Sequence, residues 1–370
     1  MIAPASTNWR RWLSALGPAV GLILVWALFA ALTGGRFVAW ENQRLMLMQT
    51  AVVGTAAIGA TFIIISGGID LSVGSTIALS TMLTALTLQA GLGTVPALVI
   101  GVLTGACCGA FIGMLVIGRL ALGVAISIGL IVAAMSHSRW GWGVGAGVGA
   151  LVAFVLSTFL PRVLPRLALS PFIVTLGMWG ALRGIAKGLG DNQPVYTQST
   201  WLLGLMQSGS QWWNALLPPA VWIMLVLAVT ASALLRYTVF GRHVVAVGSN
   251  ELTARLCGVP VERVRWRVYA IGVACAGLAG VFQFSFLTMG DPTTAQGYEL
   301  RIIAAVVIGG ASLSGGQGSV AGTLIGALLM TVIDRGCTAL GMENWIQEIL
   351  TGAIILAAVL LDRWRHGSRE

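Results

Sequence analysis

The chain has 370 residues, of which 57% are apolar and 9% charged, with a mean hydropathy of +0.90 and a formal net charge of +9. A soluble globule carries about a quarter of its residues as charges, so this composition excludes a surface kept in water and places the chain in a membrane. Its apolar runs have helical length rather than the ten-residue alternation of a barrel strand, which makes the expected fold an all-α, polytopic transmembrane helical bundle.

The basic residues gather at the ends of apolar runs, as membrane topology requires, so the positive charge implies no nucleic-acid partner. Cys107, Cys108, Cys257, Cys275 and Cys337 show no C-x-x-C spacing and read as free thiols; no metal site and no cofactor is expected. Arg10 and Arg11 precede an apolar run from Pro18 to Leu32 that reads as a retained first helix rather than a cleaved signal.

In chain order, helices are expected at about 18–33 and 45–66, joined by a loop with Arg36, Glu41 and Arg44. The second runs into SGGIDLSVGS, residues 66–75, before a third helix at 73–89. Gly67, Gly68 and Gly74 free the backbone from helical geometry, and Asp70 places a carboxylate where its flanks imply lipid depth. An acid at the bilayer centre costs about 2.5–3.5 kcal/mol even on the lenient insertion scale, so Asp70 should face protein or a watery cavity. A plain surface turn with a solvated Asp70 is the alternative. The fourth helix, 94–118, carries Gly101, Gly105, Gly109 and Gly113 at four-residue spacing, a smooth strip for another helix to lie against.

Residues 123–168 read as an inserted helical hairpin. RLAL occurs at 119–122 and again at 166–169, and between them lie apolar runs at 123–136 and 143–161, separated by His137, Ser138 and Arg139. A short span follows from Pro171 to Lys187. The loop from Gly190 to Leu217, with Asp191 as its only charge and Trp201, Trp212 and Trp213 as belt residues, should be external. A helix at 218–235 leads to residues 236–267, which hold Arg236, Arg242, Arg255, Arg263, Arg265 and Arg267 against Glu251 and Glu262. That asymmetry places 236–267 in the cytoplasm. Arg363, Arg365 and Arg369 place the C-terminus there, and Arg10 and Arg11 the N-terminus. The parity is met by ten core helices plus the hairpin, the last helices lying at about 267–289, 299–311, 318–334 and 346–361.

IGGASLSGGQGS, 308–319, repeats the opening stretch: Gly67, Gly68, Asp70 and Ser72 find counterparts in Gly309, Gly310, Ser312 and Ser314. Paired Gly-rich breaks are what a transporter built from repeats offers along its pathway, as broken or re-entrant segments.

GATFIIISGGIDLSVGS, PFIVTLGMWGALRGIA, the segment from TVFGRHVVAVGSNELTARLCGVPVERVRW onward, and YELRIIAAVVIGGASLSGGQGSVAGTLIGA resemble, in order, the permease subunits of ribose-type sugar ABC importers. The resemblance runs from about residue 45 to 361. It implies a single permease domain over 1–370 in a bacterial inner membrane, pairing with a second copy or paralogue. A periplasmic sugar-binding protein would deliver a monosaccharide and a separate cytoplasmic ATPase would drive its passage.

Energy supply agrees: Lys187, the only lysine, precedes Gly188, so no G-x-x-x-x-G-K-[ST] phosphate loop exists in this chain. No H-E-x-x-H or G-x-S-x-G argues for an enzyme. The competing class is an ion-coupled carrier using Asp70. On the importer reading, Asp70 braces the broken helix by accepting from the Gly67 and Gly68 amides, and Ser72, Ser312 and Ser314 with nearby aromatics offer a weak solute site. Residues 236–267 form the coupling loop: Gly241 and Gly248 are backbone breaks, SNELTARL is a short helix capped by Ser249 or Asn250, and Arg242, Ala254, Arg255 and Gly258 belong to its docking surface.

Overall fold

The computed structural model describes residues 8–163, 169–207 and 217–366. The expectations for Trp212, Trp213, Arg369 and the second RLAL up to residue 168 lie outside them. So do those resting on the side chains of Arg10, Arg11, His137, Ser138, Arg139, Arg363 and Arg365.

The described residues are almost wholly helical: α1 (Asn8–Leu32), α2 (Trp40–Ile65), α3 (Val73–Gln89), α4 (Thr94–Val116), α5 (Leu120–Val163) and α6 (Pro171–Leu189) precede a short strand β1 (Val195–Tyr196) and a 3-10 turn at Trp201–Met206. Then come α7 (Pro219–Tyr237), α8 (Val239–Ser249), α9 (Glu251–Leu256), α10 (Val261–Leu287), β2 (Met289–Gly290), α11 (Tyr298–Ile308), α12 (Val320–Ala339) and α13 (Asn344–His366). Helices α2, α4, α7, α10 and α12 are long and apolar enough to cross a membrane, and shorter apolar stretches lie in α1, α3, α5 and α13. This is a multi-pass helical membrane bundle.

Glycines set its packing. Along α4, a Cβ added at Gly101, Gly105, Gly109 or Gly113 would run into Val281, Gly277, Tyr269 or Trp266 of α10, so the strip lies against α10 and the two helices are antiparallel. On the other side of α10, Gly59 of α2 and Gly272 approach backbone to backbone. Ser80 of α3 donates to the Gly101 and Gly277 carbonyls at 2.9 and 2.8 Å, tying three helices at one point. With α2 and α10 so enclosed, the core holds Phe62, Ile63, Ile64, Tyr269 and Phe282, each at most 1% exposed.

The stretch α5 is helical along both of its arms, and Gly129 lies against Gly149 and Ala153. In a straight helix rising 1.5 Å per residue those positions would stand about 30 Å apart, so the segment folds back on itself between them. At the end of the bundle away from α8 and α9, β1 pairs antiparallel with β2, and the Met206 amide donates to Ser285 Oγ at 3.1 Å.

Two expectations for 236–267 are corrected and a third, the capped SNELTARL helix, is resolved to one residue. The stretch is three helices rather than a loop, and α10 begins at Val261 because Val261, Val264 and Val268 bury one face while the intervening arginines and Glu262 face outward. Gly241 and Gly248 do not break the backbone, since both lie inside α8. They are glycines because a Cβ at Gly241 would strike the Leu235 carbonyl oxygen, and one at Gly248 the Ile65 carbonyl oxygen. Ser249 ends α8, whereas Asn250 caps α9, its side chain accepting from the Thr253 amide at 2.8 Å.

Candidate functional site

The two Gly-Gly segments meet each other beside α8. The Gly316 amide donates to the Ile65 carbonyl at 2.8 Å, and a Cβ at Gly315 would lie 3.1 Å from both the Gly67 and Gly248 Cα atoms. Thus the C-terminal end of α2, the loop between α11 and α12, and α8 share one backbone junction.

Local geometry explains the first break. Helix α2 ends in a left-handed cap, with Gly67 at φ +80°, Gly67 N donating to Ile64 O and Gly68 N to Ile63 O. Both amides are therefore satisfied by α2, and the expectation that Asp70 accepts from them is wrong. Asp70, 4% exposed, instead closes a turn forward: Oδ1 accepts from the Ser72 amide at 2.8 Å and the Ser72 hydroxyl at 2.6 Å. Among the described residues its Oδ2 has no hydrogen-bond partner, nor has the buried hydroxyl of Tyr269, which lies against Gly68.

The second break uses the same cap, with Gly310 at φ +93° donating to Val307 O and Ala311 to Val306 O. Ser312 then accepts from the Ser314 amide at 3.3 Å, as Asp70 does from Ser72. The cap, however, falls one position later relative to the Gly-Gly pair, with Gly309 itself the last-turn residue. It also recurs after α4, α9 and α12, at Gly118, Gly258 and Gly341. The likeness of the two segments is that of helix ends generally in this chain. Gly309 has a further reason to lack a side chain, because α12 crosses it at Gly322. Ser72 and Ser312 are buried and committed to these turns, and Ser314 is exposed.

On the outer side of the junction, Arg242, Asn250, Arg255 and Gly258 are exposed, whereas Gly241 and Ala254 are buried and Gly248 is half-buried. Ala254, at 4% exposure, packs α9 onto the bundle and presents nothing to a partner. Sequence reading missed Leu252 and Leu256, one helical turn apart on α9 and 70% and 81% exposed. Their spacing against buried Ala254 was the available signal. Glu251 accepts from Arg255 at 3.0 Å and from Arg265 at 2.6 Å, fixing α9 to the start of α10. Partial burial raises the Glu251 pKa, but the hydrogen bond from Arg255 and the charge of Arg265 outweigh it and hold the carboxyl below its ordinary range.

A second polar cluster, also missed, lies deeper. Arg183 of α6, 8% exposed, donates through Nη1 to the Pro292 and Thr294 carbonyls at 3.1 and 2.6 Å, clamping the segment between α10 and α11. Trp179, one turn earlier, donates to Glu299 Oε1 at 3.0 Å.

Residues 117–359 match the family described as "Branched-chain amino acid transport system / permease component". Across 356 residues the chain is 33% identical to Ribose import permease protein RbsC of Escherichia coli strain K12, covering 95% of each. The chain belongs to the ribose-type ABC permease family. The Bacillus subtilis strain 168 ribose import permease is 32% identical, over 94% of this permease and 92% of its own length. L-arabinose ABC transporter permease protein AraH of Azospirillum brasilense is 30% identical, over 100% of this chain and 94% of its own. No solved structure matches the permease. As a membrane permease of an ABC sugar importer, it carries α8 on the broken end of α2, the most buried of its candidate spans.

Proposed function

We propose that this permease passes a monosaccharide across a bacterial inner membrane, receiving it from a periplasmic binding protein and driven by a separate cytoplasmic ATPase, as one of two permease copies or paralogues. The observation that carries the mechanism is the junction of Ile65, Gly248 and Gly316. A load applied to α8 and α9 bears directly on backbone at both breaks, without an intervening flexible side chain.

On this reading 236–267 is the coupling element and lies in the cytoplasm with both termini; Leu252, Leu256, Arg242 and Arg255 meet the ATPase, and Gly241, Gly248 and Ala254 seat the helices. Gly67, Gly68, Asp70, Ser72, Gly309, Gly310, Ser312 and Ser314 shape the gate rather than grip the sugar. Residues 123–168 are an accessory hairpin outside this path. The chain is a transport subunit and not an enzyme.

Co-expression with an ATPase and binding protein from the same operon tests this. Binding-protein-dependent, sugar-stimulated ATP hydrolysis in proteoliposomes is expected, and uptake should persist with an uncoupler present. The unpartnered Asp70 Oδ2 favours one rival, an ion-coupled carrier. Uptake by this chain alone that collapses with the uncoupler would establish that rival.

A further inference from the structure

Between α6 and α11 lie two buried polar atoms of opposite character, each without a partner among the described residues: Arg183 Nη2 and Glu299 Oε2. The parent side chains lie within Coulombic reach of each other, yet they form no ion pair among the described residues. Each is held apart by its own anchors. Arg183 spends Nη1 on the Pro292 and Thr294 carbonyls, and Gln283 fixes the same segment through Thr294 Oγ1 at 2.9 Å. Glu299 is held from its other oxygen by the Trp179 indole, while Gly74 at the start of α3 leaves room for Oε2, where any Cβ would overlap it.

Burying an unpaired guanidinium nitrogen and an unpaired carboxylate oxygen is costly, so each calls for a polar group to complete it. A hydroxyl is the neutral group that serves both at once, accepting from Nη2 and donating to Oε2. Trp179, one turn before Arg183 and bonded to Glu299, is 41% exposed, so the indole gives the pair its edge on the surface of α6. An indole face beside a carboxylate and a guanidinium suits a cyclic polyol, whose C–H face stacks while its hydroxyls bond.

We propose that Arg183, Glu299 and Trp179 form an intramembrane subsite that takes a hydroxyl of the passing sugar and discriminates it from the deoxy analogue. This rests on the sugar-permease reading above. It differs from the serine-lined site that the sequence suggested, because charged groups supply the recognition.

The test is maximal uptake into proteoliposomes holding the full transporter, at saturating binding protein, for D-ribose or L-arabinose, whichever the wild type carries, and for its 2-deoxy analogue. Wild type should favour the parent sugar about tenfold, the worth of a hydrogen bond to a charged group. Glu299→Gln should reduce that ratio to near one, chiefly by slowing the parent sugar, and Trp179→Phe, which frees the carboxylate while keeping a ring, should reduce it part-way. Slowing of both sugars by the same factor in both variants would mean that the cluster only clamps the fold, and unchanged ratios would overturn the proposal. Should Glu299→Gln fail to reach the membrane, Trp179→Phe decides alone. Where wild type carries another monosaccharide, that sugar and its monodeoxy analogues replace the pair, and if it carries none, it is the parent reading that falls.

Discussion

The Ile65 carbonyl accepts the Gly316 amide at 2.8 Å, so residues far apart in the chain share one backbone hydrogen bond where α2 ends. Gly248 of α8 presses on that same carbonyl. Gly248→Ala therefore has no room and forces α8 off the bundle, an overpacking cost of about 1–3 kcal/mol. The purified variant should melt several degrees below wild type and lose sugar-stimulated ATP hydrolysis. Gly147→Ala, whose Cβ would meet nothing, should do neither. Equal melting temperatures for Gly248→Ala and wild type would refute the junction.

The exposed leucines of α9 give a prediction of opposite kind. Leu256→Ser and Leu252→Ser remove apolar surface facing away from the core, so stability and membrane level should match wild type. Affinity for the ATPase in detergent should fall at least tenfold, as for truncated anchors at an interface centre. Ala254→Leu should act the other way, lowering stability first, because its methyl is already buried.

Ser72 completes the Asp70 turn through two bonds, one of them from its hydroxyl at 2.6 Å. Ser72→Ala removes that bond from a buried carboxylate and should cost about 1.5–3 kcal/mol. Asp70→Asn keeps the Oδ1 acceptor and removes the charge, so it should unfold at higher denaturant than Ser72→Ala. The reverse order would mean that the turn is not what Asp70 holds.

Glu251 carries the pH dependence of the α9 seat. Its folded pKa is depressed by Arg255 and Arg265 despite partial burial, so its contribution is fully present above the unfolded value, about 4.3, and is lost as pH falls through the lower folded value. Glu251→Gln should therefore lower the melting temperature slightly at pH 7 and leave it unchanged near pH 3. High salt should shrink the difference at pH 7, since the groups are partly exposed. A difference that grows in acid would contradict the assignment.

The helices, the break after Ile65 and the glycine seam of α4 were legible because each is written in local composition or fixed spacing. The start of α10 was misjudged because arginines on an outward face resemble a loop when counted by charge alone. Gly241 and Gly248 were misread for a related reason: a glycine that permits a bend and one that permits contact are the same letter, and only the neighbour tells them apart. Arg183 and Glu299 escaped because their meaning is relational. Each stands in an ordinary apolar context, and the indole that joins Glu299 to α6 comes from more than a hundred positions earlier in the chain.

Helix α10 runs unbroken from beside Glu251 to the segment that Arg183 clamps, flanked by glycine contacts with α4 and α2. Backbone surfaces in contact have few side chains to withdraw before they slip, whereas interlocked leucines would have to climb out of their holes. A helix mounted this way has backbone rather than interlocked side chains over much of its contact with α4 and α2, with the Ser80 hydrogen bonds as the tie that fixes its height. Its 27 residues, about 40 Å at 1.5 Å each, thus form one rigid strut between the Glu251 seat and the Arg183 clamp.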